Sequence, residues 1–331
     1  MAGALVGKVA VVTGASSGIG RAIARAFGAE GARVALLARG RDGLEAAAAE
    51  IRSFGSEALP LPLDVADAAA VDRAADEVAE RLGGLDVWVN DAMVSVFSPV
   101  REMTAAEYRR VTEVNYLGTV HGTLAALRHM RRRGAGTILQ IGSALVYRSI
   151  PLQSAYCASK AAIRGFTDSL RSELLHEGSR IKVVMLQQPA VNTPQFDVVR
   201  TRLPRRPQPV PPIYQPEVIA RAALYAVRRP ARELWVGGSA IKAILGQKLV
   251  PGYADRYLAR HGYDAQQTAE LEPPGRPDNV DAPLPGDRGA HGRFDAEARG
   301  FSLELWLRTH PVAAAALTAL GLGAGWRALR I

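Results

Sequence analysis

The chain has 331 residues, 48% hydrophobic and 22% charged, enough for one large α/β domain with a well-buried core and a further segment. Its formal charge of +9 comes mostly from arginine and is spread along the chain, with short clusters at Arg131-Arg132-Arg133 and around Arg200 to Arg206; no basic stripe interleaved with aromatics marks a nucleic-acid surface. The single Cys157 excludes an internal disulfide framework and fits a reducing, cytoplasmic compartment, and the histidines lack metal-ligand spacing, so no metal site is expected.

Val9 to Val12 reads as a first strand, with no signal-peptide pattern, and Arg21 to Glu30 as the helix after it. Val34 to Leu37 is a second strand, followed by an alanine-rich helix through Ile51. Ala58 to Leu63 is a third, with its helix at Val71 to Leu82. Leu85 to Val89 is a fourth, followed by one long helix from about Ala105 to Arg131. Thr137 to Ile141 is a fifth, with a helix from about Ser154 to Leu175. Ile181 to Leu186 is a sixth, Glu217 to Val227 a helix, and Leu234 to Val236 closes the series. Strands that are apolar throughout are buried on both faces. Strict alternation of strand and helix therefore predicts a Rossmann-like, doubly wound parallel sheet of about seven strands, flanked by helices, over residues 1–263.

Residues 264–297 are rich in proline, glycine and acidic residues with little apolar periodicity, and read as a linker or loosely ordered excursion. The tail, 298–331, contains Phe301 to Leu307 and the uncharged run Val312 to Trp326, closed by Arg327 and Arg330. A bilayer span needs about 20 apolar residues, which this run does not reach. Three readings stand: peripheral membrane contact through 301–331, anchored by Trp306, Trp326 and the terminal arginines; a tail that packs on a partner subunit; or an ordinary docked C-terminal helix.

Thr13-Gly14-Ala15-Ser16-Ser17-Gly18-Ile19-Gly20 joins the first strand to the first helix. Gly14 allows a tight turn, Gly18 a close backbone approach to a pyrophosphate, and Gly20 close packing of the helix, whose N-terminal N–H groups face the anion. At the end of strand two an acidic residue would bind a ribose diol and repel a 2′-phosphate. Here Ala38 is followed by Arg39, which suits a phosphate, so NADP(H) is favoured over NAD(H). Asp64-Val65 ends strand three, where the carboxylate is placed to accept from the adenine amino group.

Tyr156 and Lys160, four apart on a helix, share one face. A phenol with a pKa of about 10 is a poor acid–base catalyst at neutral pH, and a neighbouring ammonium is expected to lower it. Ser143 lies past strand five at the carboxyl edge, where it can hold a substrate oxygen beside Tyr156. Asn115 sits inside the long helix, against its propensity, as a water-mediated link to Lys160 or a tolerated polar residue. Cys157 points away from Tyr156 and reads as packing.

Together with Asn90, Asp64 and Pro189 followed by Thr193, these residues resemble the short-chain dehydrogenase/reductase family over about Val6 to Gly238. The resemblance implies a Ser143-Tyr156-Lys160-Asn115 catalytic set, Lys160 on the nicotinamide ribose, Thr193 on the carboxamide, and a homo-oligomer. Two departures touch the cofactor end: Asn90-Asp91-Ala92-Met93 stands where Asn-Asn-Ala-Gly is usual, and Pro189-Ala190 where Pro-Gly is usual. The expected activity is hydride transfer between NADP(H) and a small carbonyl or alcohol substrate. The alternatives are a catalytically silent NADP(H)-binding regulatory or scaffold protein, motivated by Met93, and a membrane-associated lipid or steroid carbonyl reductase, motivated by the tail. A substrate lid is expected over residues 193–214, rich in proline and arginine.

Overall fold

The computed structural model describes residues 3–312 and 314. Seven strands form one parallel sheet: β1 (Val9–Thr13), β2 (Arg33–Ala38), β3 (Ala58–Pro62), β4 (Val87–Asn90), β5 (Thr137–Ser143), β6 (Lys182–Gln188) and β7 (Glu233–Trp235). Their order across the sheet is β7-β6-β5-β4-β1-β2-β3. The winding therefore reverses between β1 and β4. In such sheets that reversal opens a crevice at the carboxyl ends of the strands, where ligands bind.

Strand β1 shows why the sheet is covered on both faces. Ala10 and Val12 enter one core with Ile23 and Phe27 of α1 (Gly18–Ala29), Leu44 and Ile51 of α2 (Arg41–Ser53), and Val218 and Ile219 of helix Pro216–Arg228. Val9 and Val11 enter the other core, with Val71 and Val78 of α3 (Ala68–Leu82) and Leu170 and Leu174 of helix Ser154–His176. Alternate residues of a strand point to opposite faces, so an unbroken apolar strand demands two helical layers.

The long helix expected from Ala105 is not uniform. It runs as α4 (Ala105–Val111), a π-helical segment Thr112–Leu117, and α5 (Gly118–Arg133). Its start is fixed by a capping box in which Thr104 and Glu107 exchange hydrogen bonds. Next come α6 (Ser154–His176) and α7 (Pro216–Arg228), close to their expected bounds. Two further helices, α8 (Gly238–Leu249) and α9 (Pro251–His261), have no counterpart in the sequence reading. Buried residues number only Ala240 and Ile244 in α8 and none in α9, so neither writes an apolar stripe strong enough to read.

The reading of 264–297 as a loose linker is corrected. Gln267–Leu271 pairs antiparallel with Arg205–Pro207 of the lid. Val280 is fully buried in the second core, and Phe294 joins a small cluster with Phe97, Phe196 and Leu203 beneath the lid. Few apolar side chains are involved, but each is deeply placed, and ion pairs supply much of the rest. Arg200 pairs with Asp278 and Asp281, Arg206 with Glu270, and Arg293 with Asp197.

Beyond it, α10 (Leu303–Thr309) starts with the Ser302 side chain accepting from the Leu305 N–H, and buries Leu305 in the first core. The rest of the apolar run, with Trp326 and the terminal arginines, lies outside the described residues apart from Val312 and Ala314. Among the described residues no helix is long and apolar enough to cross a membrane.

Candidate active site

The glycine turn is tied to the end of β4 by one side chain. Thr13 Oγ1 accepts from the N–H groups of Asp91 (3.0 Å) and Ala92 (3.1 Å) and donates to the Val89 carbonyl (3.3 Å). Gly14, at φ +72°, passes so close to Ala92 that an added Cβ would lie 2.9 Å from its backbone nitrogen. Thr193 packs over Gly18, where an added Cβ would come within 3.3 Å of it. The resulting cleft is lined by Gly14, Ser16, Ser17, Gly18 and Ile19 on one side and by Arg39, Asp64 and Val65 beyond them; Tyr156, Lys160 and Thr193 line it at the chemical end. Gly20 lies behind this wall and donates its N–H to the Asp91 carboxylate.

At the chemical end, α6 carries Tyr156 and Lys160 on its buried face. Lys160 Nζ donates to the Ile141 carbonyl at 2.7 Å and stands 5.6 Å from the Tyr156 ring centroid. The side chains of Ser143, the last residue of β5, and Gln188, the last of β6, stand near enough to the Tyr156 phenol to favour its ionised form. Ser143 Oγ also accepts from the Leu145 N–H at 3.2 Å.

Burial overrides the expected charge effect here. Loss of water raises the Tyr156 pKa well above its ordinary 10, and the nearby Ser143 and Gln188 side chains only partly oppose it. The same loss of water lowers Lys160 to about 8, with Asp91 pulling the other way. The expectation that Lys160 depresses the phenol is therefore not met in this state, and Tyr156 holds its proton at neutral pH.

Arg39 donates to the backbone carbonyls of Asn279 and Val280. Asp64 is paired with Arg110 and also accepts from the Ala66 N–H, so its carboxylate is not free for an adenine alone. Asn90 requires correction as a cofactor contact. Its side chain accepts from the Trp88 indole and donates to Thr123 and Gln140, inside the sheet and away from the cleft. Asn115 is also differently employed: its amide accepts from the Val94 N–H (2.8 Å) and donates to the Val94 carbonyl (3.0 Å) and Ser159 (3.1 Å). Its side chain thus clamps the loop after β4 to α6 and makes no bond to Lys160. Asp91 lines the cleft beside Met93, and burial raises its carboxyl to about 6 despite Lys160 and the Gly20 N–H.

Gln188 escaped the sequence reading. Its place at the carboxyl end of a central strand, directly before Pro189, was the available signal. The cleft residues Asn279, Pro283, Leu284, Gly286 and Arg288 also escaped it, because they lie in the stretch without periodicity.

This is a dinucleotide-type crevice lined at its chemical end by a buried tyrosine and lysine, with a buried serine near the tyrosine, the arrangement of an oxidoreductase fold. The short chain dehydrogenase family model matches residues 8–203, and the chain belongs to that family. It is 32% identical over 288 residues to the uncharacterized oxidoreductase YxnA of Bacillus subtilis, a match covering 86% of this chain and 80% of that protein. It is 35% identical over 229 residues to a fatty acyl-CoA reductase of Acinetobacter baylyi, covering 68% of this chain and 75% of the relative. Among solved structures, a short chain dehydrogenase from Burkholderia cenocepacia in complex with NADP superposes with a TM-score of 0.62 at 29% identity, over 71% of this chain and 98% of that one.

Proposed function

We propose that the protein is an NADP(H)-dependent oxidoreductase that transfers hydride between the nicotinamide and a carbonyl or alcohol carbon. The observation that carries this is Tyr156, buried and proton-loaded, with Ser143 near its phenol, lining with Lys160 the crevice that the glycine turn also lines.

The residues fit a dinucleotide. Gly14 leaves no room for a side chain where the backbone must turn under a pyrophosphate. Ser16, Ser17 and Ile19 would hold the phosphates from the start of α1, Asp64 and Val65 would flank the adenine, and Tyr156, Lys160 and Thr193 would meet the nicotinamide half. Arg39 stands at the end of β2 where no carboxylate repels a 2′-phosphate, and two carbonyl contacts leave part of its five-donor fork available. The NADP in the Burkholderia structure supports the same choice.

When bound, the cofactor supplies or accepts the hydride. In the reducing direction Ser143 orients the carbonyl oxygen and Tyr156 gives it a proton. A phenol held protonated by burial is the appropriate acid. Lys160 lies close enough to stabilise the phenolate left behind, and Asn115 holds the loop and helix that frame the site.

A second reading, dinucleotide binding without turnover, rests on Asp91, a cleft-lining residue whose carboxylate is held by the Gly20 N–H and stands where the family usually has an amide. Fluorescence titration with NADPH and NADH at fixed salt tests the cofactor assignment. The wild type should prefer NADPH, and Arg39→Asp should remove that preference by about tenfold to a hundredfold, the worth of a charge-assisted hydrogen bond and its loss to a like charge. Binding of neither dinucleotide contradicts both readings. Binding without turnover on any aldehyde or ketone favours the second.

A further inference from the structure

The family model ends at residue 203, yet the dinucleotide crevice is completed by residues far beyond it. From 278 to 292 the chain follows the rim of the cleft from β3 to the lid. Asp278 and Asp281 hold Arg200; Val280 is buried to 0% exposure, and its carbonyl accepts from Arg39 and Arg110. Pro283 then crosses Gly40, and the Gly286 N–H donates to Asp42 at 2.8 Å. Asp287 pairs with the buried Arg21, and the Gly289 carbonyl accepts the Gly18 N–H at 3.1 Å. At Gly292 an added Cβ would lie 2.3 Å from the Thr193 carbonyl, so the segment returns tightly against the lid.

These anchors tie the segment down, while Pro283, Leu284, Gly286 and Arg288 line the cleft. Of the arginines along this path, Arg21, Arg39, Arg110 and Arg200 each have hydrogen-bond acceptors. Arg288 lines the cleft beside Ser17 and Gly18 with none among the described residues. Arg288 is an exposed, solvated cation one residue from Gly289, whose carbonyl meets the first turn of α1, so it is placed to share an anion with that helix.

We infer that residues 278–292 form a strap that closes over the bound dinucleotide, with Arg288 as a phosphate-binding residue supplied by the C-terminal extension, so that cofactor enters and leaves only when the strap lifts. This rests on the dinucleotide reading above. The pyrophosphate is common to both nicotinamide cofactors, so Arg288 acts on both, whereas Arg39 distinguishes them.

The full-length chain carries its own test. A Cβ on Gly40 would lie 3.7 Å from Pro283 Cβ, within the roughly 3.5–4.5 Å that a disulfide spans. The double variant Gly40→Cys/Pro283→Cys places the lock there, and the one native thiol, Cys157, is buried and does not compete. Loaded with NADPH and then oxidised, the variant should release cofactor at least about tenfold more slowly than the wild type in stopped-flow fluorescence, and reductant should restore the rate in the same sample, which serves as its own folding control. Arg288→Ala, with an unchanged Tm, should weaken NADPH and NADH alike by about tenfold. Unchanged release from the locked protein, or a lock that forms only without NADPH, overturns the strap. Unchanged affinities in Arg288→Ala overturn the arginine's role. Failure of the wild type to bind either dinucleotide instead removes the underlying reading.

Discussion

At Tyr156 two influences compete, and burial is the larger: the phenol rises above 10 while Lys160 falls to about 8. Sequence showed that the two share a helix face but not how dry that face is. Asp91 shows the same physics with a different consequence. An acid whose pKa is about 6 folded against an ordinary 3.8 lowers stability as pH rises between those values, after which the loss levels off. Asp91 is only half-buried as a residue, so the slope is smaller than a fully buried acid would give. Asp91→Asn should therefore flatten the fall in Tm over that interval. It should also tighten NADPH binding several-fold at pH 8, because a carboxylate beside the phosphates is removed, and the advantage over wild type should vanish below about pH 6, where Asp91 is itself protonated. An affinity ratio that does not change with pH would contradict this placement of the charge.

Among the elements, the π-helical segment Thr112–Leu117 explains why asparagine stands within a helix. It presents Asn115, 1% exposed, to the Val94 backbone and Ser159 together. Removing that amide strands several buried partners at once, so Asn115→Ala should cost about 1–3 kcal/mol or somewhat more in chemical denaturation, with kcat falling alongside. A loss of activity at unchanged stability would argue against a clamp. The strands, α1 to α3, α6 and α7 were legible because apolar period and glycine placement agree in them. Asn90 was misplaced because family position says nothing of side-chain direction, and its amide is consumed by Trp88, Thr123 and Gln140. Helices α8 and α9 bury too little to leave a pattern. The strap holds by a few deep residues and by backbone groups, neither of which has a period. One latch is His291, bridging Glu217 of α7 and Asp295; burial opposes its charge, but those two carboxylates outweigh that and hold its pKa above 6.5.

Over the whole molecule, the formal charge of +9 conceals local neutralisation. The lid arginines are met by carboxylates of the extension: Arg200 by Asp278 and Asp281, Arg206 by Glu270. Arg202 turns instead to Glu107 of α4. Lid, extension and cofactor crevice thus form one connected wall around Tyr156, and the acidic stretch that read as a linker is the counter-charge of the lid. Tyr156 and Lys160 line the crevice, with Ser143 near the phenol, and β5 and α6 bring the three together without any contribution from the extension. The central claim is that this trio performs proton and hydride chemistry, and the most direct measurement is NADPH oxidation by wild type and Tyr156→Phe across a panel of aldehydes and ketones. Turnover by the wild type, reduced about 10²–10⁴-fold in the variant as expected for loss of a general acid, with NADPH affinity changed less than about twofold because the phosphate contacts lie elsewhere, is the predicted result. Undiminished turnover in Tyr156→Phe would contradict it.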